Sequence, residues 1–357
     1  MRRLLASLFE AAGGFEVSVA RDGAEALVLL HAFQPNVVTL DINMPGMDGL
    51  ACLDSIMVER PTPVVMFSSL TEDGARETVE ALALGAVDFA LKPGGAVSLK
   101  VDEFGPGLID MVLRASKARL PSSHRLAERV RLRTGTGQRA KPEPAPIEAE
   151  QPRPRRASVR SQGPGGEGLV LVGSSTGGPP ALDALLTPLP ADFPWPILVA
   201  QHMPASFTSA LAARLDRICA LGVTEVVRPT RLQPGHAYIG RGDADVIVSR
   251  RGGDLVALPA PSGAEFRWHP SVDRLVDSAM LALAPERLVG VLLTGMGSDG
   301  AAAMTRLRQG GGHTIAEAEE TAVVWGMPGE LVRAGGAEFV TPLQQVAARL
   351  SALVETP

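Results

Sequence analysis

The sequence predicts an α/β protein made of two parallel-sheet units in tandem. Three observations carry this reading. Short apolar runs alternate with amphipathic stretches on both sides of residues 117–167, polar side chains able to do chemistry follow directly on several of those runs, and the stretch between has little apolar material and many prolines. A length of 357 residues suits two or more domains at ~150 residues each. With 45% hydrophobic and 20% charged residues, the composition excludes wholesale disorder.

The first unit is expected over residues 1–116. Leu4, Leu5, Leu8 and Phe9 fall at helical spacing, and Glu10 interrupts the apolar run too early for a signal peptide. Strands are then expected at 15–19, 36–40, 63–67 and 86–91, and helices at 24–33, 50–59 and 74–84. The second unit, 168–357, repeats the alternation. Strands are expected at 169–172, 196–200, 224–227, 288–293 and 314–316, with helices at 181–186, 207–220, 272–284, 301–309 and 343–354. Runs 246–249 and 255–258, separated by Arg-Arg-Gly-Gly-Asp, predict a β-hairpin.

Residues 117–167 read as a flexible Pro/Arg-rich linker. Between Arg114 and Arg160, thirteen Lys/Arg face four Asp/Glu. That local charge of +9 leaves −14 for the rest of a chain whose net charge is −5. No aromatic residue accompanies the basic run, so a solvated tether is expected and no nucleic-acid partner. Cys52 and Cys219 lie far apart without a CxxC spacing, which excludes a disulfide framework and a cysteine zinc site and fits a reducing, cytoplasmic setting. No apolar run approaches the ~18 residues of a membrane-spanning helix, so no membrane insertion is expected.

Two groups of strand-end residues carry chemistry. In the first unit, Asp41, Ser68 and Lys92 each follow an apolar run, placing a carboxylate, a hydroxyl and an ammonium at one carboxyl edge. Such a trio suits phosphoryl transfer to Asp41, with Ser68 and Lys92 binding the phosphoryl oxygens. The segments LDINMPGMDGL, MFSSLTEDG and FALKP resemble the receiver domain of two-component response regulators. The resemblance implies a flavodoxin-like fold with Asp41 as phospho-acceptor, Ser68 as switch hydroxyl, Phe89 as switch aromatic and Lys92 as active-site lysine. It also implies Mg²⁺ as the cofactor of phosphorylation and a chemotaxis histidine kinase as phosphodonor. Receivers open with a strand ending in two metal-holding acids, and this sequence begins inside the helix that follows. Two explanations are open: a start assigned to an internal methionine of a chain roughly 15 to 20 residues longer, which is the favoured one, or a decayed receiver.

In the second unit, Gly173-x-Ser175-x-Gly177 after an apolar run has the spacing of a nucleophile elbow. A phosphate cradle has similar glycines, but no Lys-Ser/Thr follows as a P-loop requires. His202 ends the next run and Asp299 follows the run 288–293, so Ser, His and Asp meet at one edge, the set that activates a hydroxyl nucleophile. The order Ser, His, Asp differs from that of α/β-hydrolases.

The segments GSSTGG, QHMPASFTSALAARL, RLQPGHAYIG, HPSVDRLVDSAM and LLTGMGSDGA resemble the catalytic domain of the CheB family of chemotaxis protein-glutamate methylesterases. This resemblance implies hydrolysis of glutamyl methyl esters on methyl-accepting chemoreceptors, and deamidation of receptor glutamines, without an esterase cofactor. It makes Ser175 the nucleophile, His202 the base, Asp299 its orienting partner, and the amides of Met296 and Thr176 the oxyanion donors. The receiver is expected to cover the esterase cleft until phosphorylated. The rival readings are a signalling adaptor that only docks partners and a nucleotide-binding regulator; a transcription factor is disfavoured because no helix-turn-helix pattern follows the linker.

Overall fold

The computed structural model describes residues 2–92, 101–120 and 168–355. Most of the expected linker lies outside these residues.

The N-terminal unit runs α1 (Arg2–Ala12), α2 (Gly23–Ala32), β1 (Val38–Asp41), α3 (Gly49–Glu59), β2 (Val64–Ser68), α4 (Glu72–Leu84), β3 (Asp88–Leu91) and α5 (Val101–Ala115). The three strands pair in parallel in the order β1-β2-β3, and β2 is buried throughout, as its unbroken apolar run requires. Asp22, Asp48 and Thr71 cap α2, α3 and α4 by accepting backbone N–H groups three residues on, each worth about 1 kcal/mol.

The strand expected at 15–19 does not form; these residues are irregular. Among the described residues only β2 pairs with β1, so an extended segment at 15–19 finds no ladder on β1's other edge. Phe15 turns instead onto Phe9 of α1, with ring centroids 5.1 Å apart, and both belong to a cluster with Leu108 and Val112 of α5.

The C-terminal unit is built on seven parallel strands: β4 (Leu169–Ser174), β5 (Ile197–Gln201), β6 (Gly222–Val226), β8 (His236–Gly240), β11 (Leu288–Leu292), β12 (His313–Glu317) and β13 (Phe339–Thr341). Their order is β13-β12-β11-β4-β5-β8-β6. From β4 the chain winds outward through β5, then returns to β11 on the other side, so the topological switch lies beside β4, where open sheets carry their sites. Helices α6 (Gly178–Leu186), α7 (Ala205–Ile218), α8 (Val272–Ala282), α9 (Ala301–Gln309), α10 (Met327–Arg333) and α11 (Leu343–Glu355) cover the faces. The expected hairpin forms from β9 (Asp245–Arg251) and β10 (Asp254–Ala260), with the short β7 (Thr230–Arg231) pairing to β10.

The two units share an apolar contact. Helix α4 lies against α6 and α7, and the ring of Phe89 on β3 sits 4.5 Å from that of Phe207 on α7. Beyond α5, Arg119 donates to the Glu319 carboxylate and, through its N–H, to the Val323 carbonyl.

Candidate active site

Three adjacent strands, β11, β4 and β5, bring the expected Ser, His and Asp to one carboxyl edge. Ser175 leaves β4 in a tight turn. Its N–H donates to the Thr294 carbonyl at 3.0 Å, and its carbonyl accepts from the Gly178 amide and from Gln201 Nε2. Gly177 then adopts φ +76°, and a Cβ there would meet Val323 at 2.7 Å, so the turn demands glycine on both counts. Gly295 packs equally close from the other side: a Cβ on it would lie 2.8 Å from Ser175 Cβ. The backbone around Met296 is thereby held next to the expected nucleophile.

His202 follows β5 and is nearly buried. Its Nε2 lies 2.8 Å from Asp299 Oδ2, and its ring stacks in parallel on Trp268, with centroids 5.8 Å apart. Nδ1 is buried and has no hydrogen-bond partner. Since Asp299 accepts four hydrogen bonds, the imidazole proton resides on Nε2 and the lone pair on Nδ1. The Asp299 carboxylate sits on the N-terminus of α8, accepting from the Val272 and Asp273 amides at 2.8 and 3.0 Å and from the Ser271 hydroxyl at 3.1 Å. Burial alone would raise this carboxyl, but the hydrogen bond and charge of His202 with the two amides outweigh it and hold Asp299 below its ordinary range.

Several residues of this arrangement escaped the sequence reading. Gln201 ties the Ser175 and His202 turns together: it donates to the carbonyls of Ser175 and His202 and accepts from Ser174 Oγ at 2.6 Å. Asp245, fully buried, accepts from Ser271 N–H and Arg274 Nη1 and pairs with His269 Nδ1, so it fixes the start of α8 that holds Asp299. Glu317, at the end of β12, accepts from the Thr294 amide at 2.7 Å, and burial pushes its carboxyl up to about 7. The only sequence signal for Glu317 was a polar residue closing an apolar run.

Thr176, next to Ser175, donates its hydroxyl to Asp88 Oδ2 of the N-terminal unit at 2.6 Å. Burial at this junction raises the Asp88 carboxyl against the opposing pull of Thr176, the Phe89 amide and the charge of Arg114. A residue of β3 therefore lies directly over the turn that carries Ser175.

At the other site, Lys92 Nζ and the Asn43 amide both contact Asp41 Oδ1, at 2.6 and 3.0 Å. Ser68 reaches the same edge, but its hydroxyl turns into α4, donating to the Gly74 carbonyl and accepting from Thr78 Oγ1 at 2.6 Å. The expected trio is thus a contacting pair with a third member facing away. Among the described residues no group of three or more His, Cys, Asp or Glu can hold a metal ion. Asp41 is the carboxylate here that could hold a magnesium ion together with waters and phosphoryl oxygens, and its Oδ1 is paired with the Lys92 ammonium.

Comparison with known proteins identifies the family. Residues 170–350 match the family model described as CheB methylesterase, and residues 1–101 match the response regulator receiver domain. The chain is 55% identical over 348 residues to "Protein-glutamate methylesterase/protein-glutamine glutaminase 2" of Rhodopseudomonas palustris, covering 98% of this chain and 93% of that protein. It is 51% identical over 352 residues to a similarly named protein of Rhodospirillum rubrum, covering 99% of this chain and 93% of the relative. Among solved structures, the Thermotoga maritima CheB methylesterase catalytic domain aligns with TM-score 0.51 and 37% identity, over 53% of this chain and 99% of that one. With a receiver domain preceding the seven-stranded catalytic unit, the chain belongs to the CheB methylesterase family.

Proposed function

We propose that the protein hydrolyses glutamate methyl esters on the cytoplasmic helices of chemoreceptors, and deamidates receptor glutamines, by acylation of Ser175. The observation that carries this reading is the buried His202–Asp299 pair, which leaves Nδ1 without a partner on an imidazole that shares its carboxyl edge with Ser175. Ser175 Oγ attacks the ester carbonyl carbon as Nδ1 of His202 takes its proton; the Nε2–H bond to Asp299 stabilises the imidazolium. The carbonyl oxygen becomes an oxyanion facing the amides of Met296 and Thr176. Collapse breaks the C–O bond to the methoxy group, which leaves as methanol with the proton from Nδ1. Water, deprotonated at Nδ1, then attacks the acyl-serine and releases glutamate. With a glutamine substrate the leaving group is ammonia.

Methanol release from methyl-esterified chemoreceptor fragments tests the substrate class. The expected result is methanol in proportion to free glutamate formed; a chain that folds and releases none from any receptor would overturn it.

Regulation belongs to the same reading. Asp41 is the acceptor for a phosphoryl group from a chemotaxis histidine kinase, and the receiver restrains the esterase through its contacts on α7 and on Thr176. Asp88→Ala removes the hydrogen bond to Thr176, a contact worth about 1 kcal/mol, so the unphosphorylated rate should rise about fivefold. An unchanged or lower rate would contradict restraint through this contact.

A further inference from the structure

The carboxyl group of Glu317 has no place in the Ser-His-Asp chemistry, yet it is wholly buried at the carboxyl edge of β12, next to β11, from which the Met296 loop springs. One oxygen accepts from the Thr294 amide at 2.7 Å and the other from Thr321 Oγ1 at 3.1 Å. Thr294 is the residue through which the two catalytic turns touch. Its carbonyl receives the Ser175 amide, and its hydroxyl donates to the Thr176 carbonyl at 2.9 Å and accepts from the Val324 amide at 3.0 Å. The following residue, Gly295, donates to Val324 and accepts from the amides of Gly326 and Met327. The main-chain carbonyl of Glu317 in turn takes the Trp325 indole N–H at 3.0 Å. Glu317 therefore grips both strands of the loop pair 294–297 and 324–327.

We propose that Glu317 is a positioning residue for the hydrolysis: its carboxyl group fixes Thr294, and so sets the separation between the Ser175 turn and the Met296 amide. This rests on the esterase reading above, in which the Met296 amide faces the oxyanion. An amide donor stabilises the transition state only when it stands about 2.7–3.1 Å from the oxyanion, and loss of one such donor typically costs a hundredfold or more. Without its acceptor, the buried Thr294 N–H gains by shifting toward another partner, and the loop shifts with it. The carboxyl works as an acceptor and hydroxyl partner more than as a charge, because burial pushes it up to about 7, so that the neutral form predominates below that pH. Gln offers the same acceptor to Thr294 and a donor to Thr321, so it should substitute well.

The test uses the full chain and methyl-esterified receptor fragments, with wild-type methanol release as the reference that the esterase reading must meet first. Glu317→Gln should keep kcat within about threefold. Glu317→Met, of similar length and without an acceptor, should lower kcat ten- to a hundredfold while KM changes less than about threefold. Should the Met variant not fold, Thr321→Val removes the second partner of the carboxyl at a half-buried position and should lower kcat several-fold, again with KM kept. A Met or Val variant with wild-type kcat would overturn the proposal, as would a Gln variant as impaired as the Met variant. Absence of methanol release by the wild type would instead count against the esterase reading itself.

Discussion

Replacing Ser175 with alanine is expected to lower kcat for methanol release by about a millionfold while leaving the fold intact. The side chain projects from a turn whose shape is fixed by backbone contacts: the Ser175 amide to Thr294, the Ser175 carbonyl to Gly178 and Gln201, and the left-handed Gly177. None of these uses the hydroxyl, so alanine removes the nucleophile without disturbing the turn. In triads of this kind, loss of the serine costs about as much as loss of all three members, because base and orienter have nothing left to activate. Methanol release and far-ultraviolet circular dichroism, measured on the same preparation, check both halves of the expectation. Retained turnover would remove Ser175 from the chemistry.

Changing Asp299 to asparagine should lower kcat about ten-thousandfold, the size of effect that an orienting carboxylate exerts through the imidazole tautomer. Both oxygens of Asp299 accept: Oδ2 from His202 and the Val272 amide, Oδ1 from the Asp273 amide and the Ser271 hydroxyl. An amide NH₂ group placed at either position faces a backbone N–H, so the variant also loses stability, by about 1–3 kcal/mol. Where the NH₂ group lies against His202, it forces Nε2 to accept and moves the ring proton to Nδ1. That nitrogen then has no lone pair for the Ser175 proton. Steady-state kinetics with a melting curve checks this, and a loss of tenfold or less would show that Asp299 does not set the tautomer.

The parts of the molecule legible in the sequence are those decided by local pattern. Strands β4, β5 and β11 are largely apolar and buried along their whole length, and the polar residues in the loops that follow them mark the carboxyl edge, which is why Ser175, His202 and Asp299 could be placed together. The hairpin was legible from its glycines. What could not be read depends on partners distant in the chain. Residues 15–19 have strand-like composition but no ladder to join among the described residues, so composition misled. Strand β8 became a member of the sheet only by insertion between β5 and β6, and β13 is a three-residue edge strand. Ser271, Asp245 and Glu317 contribute through hydrogen bonds that span more than twenty residues, and no periodicity reports such contacts. The Ser68 rotamer, turned toward Thr78, is likewise a matter of side-chain competition within the folded unit.

The claim on which the rest depends is that ester and amide substrates pass through one acyl-Ser175. Partitioning with hydroxylamine tests it most directly. Receptor fragments of identical sequence, carrying either a methyl-esterified glutamate or a glutamine at the same position, are turned over at a series of hydroxylamine concentrations, with the Ser175→Ala variant as the background. A shared acyl-enzyme gives the same ratio of hydroxamate to free glutamate from both substrates at every concentration. Ratios that differ between ester and amide, or no hydroxamate above the Ser175→Ala background from either substrate, would contradict acylation of Ser175.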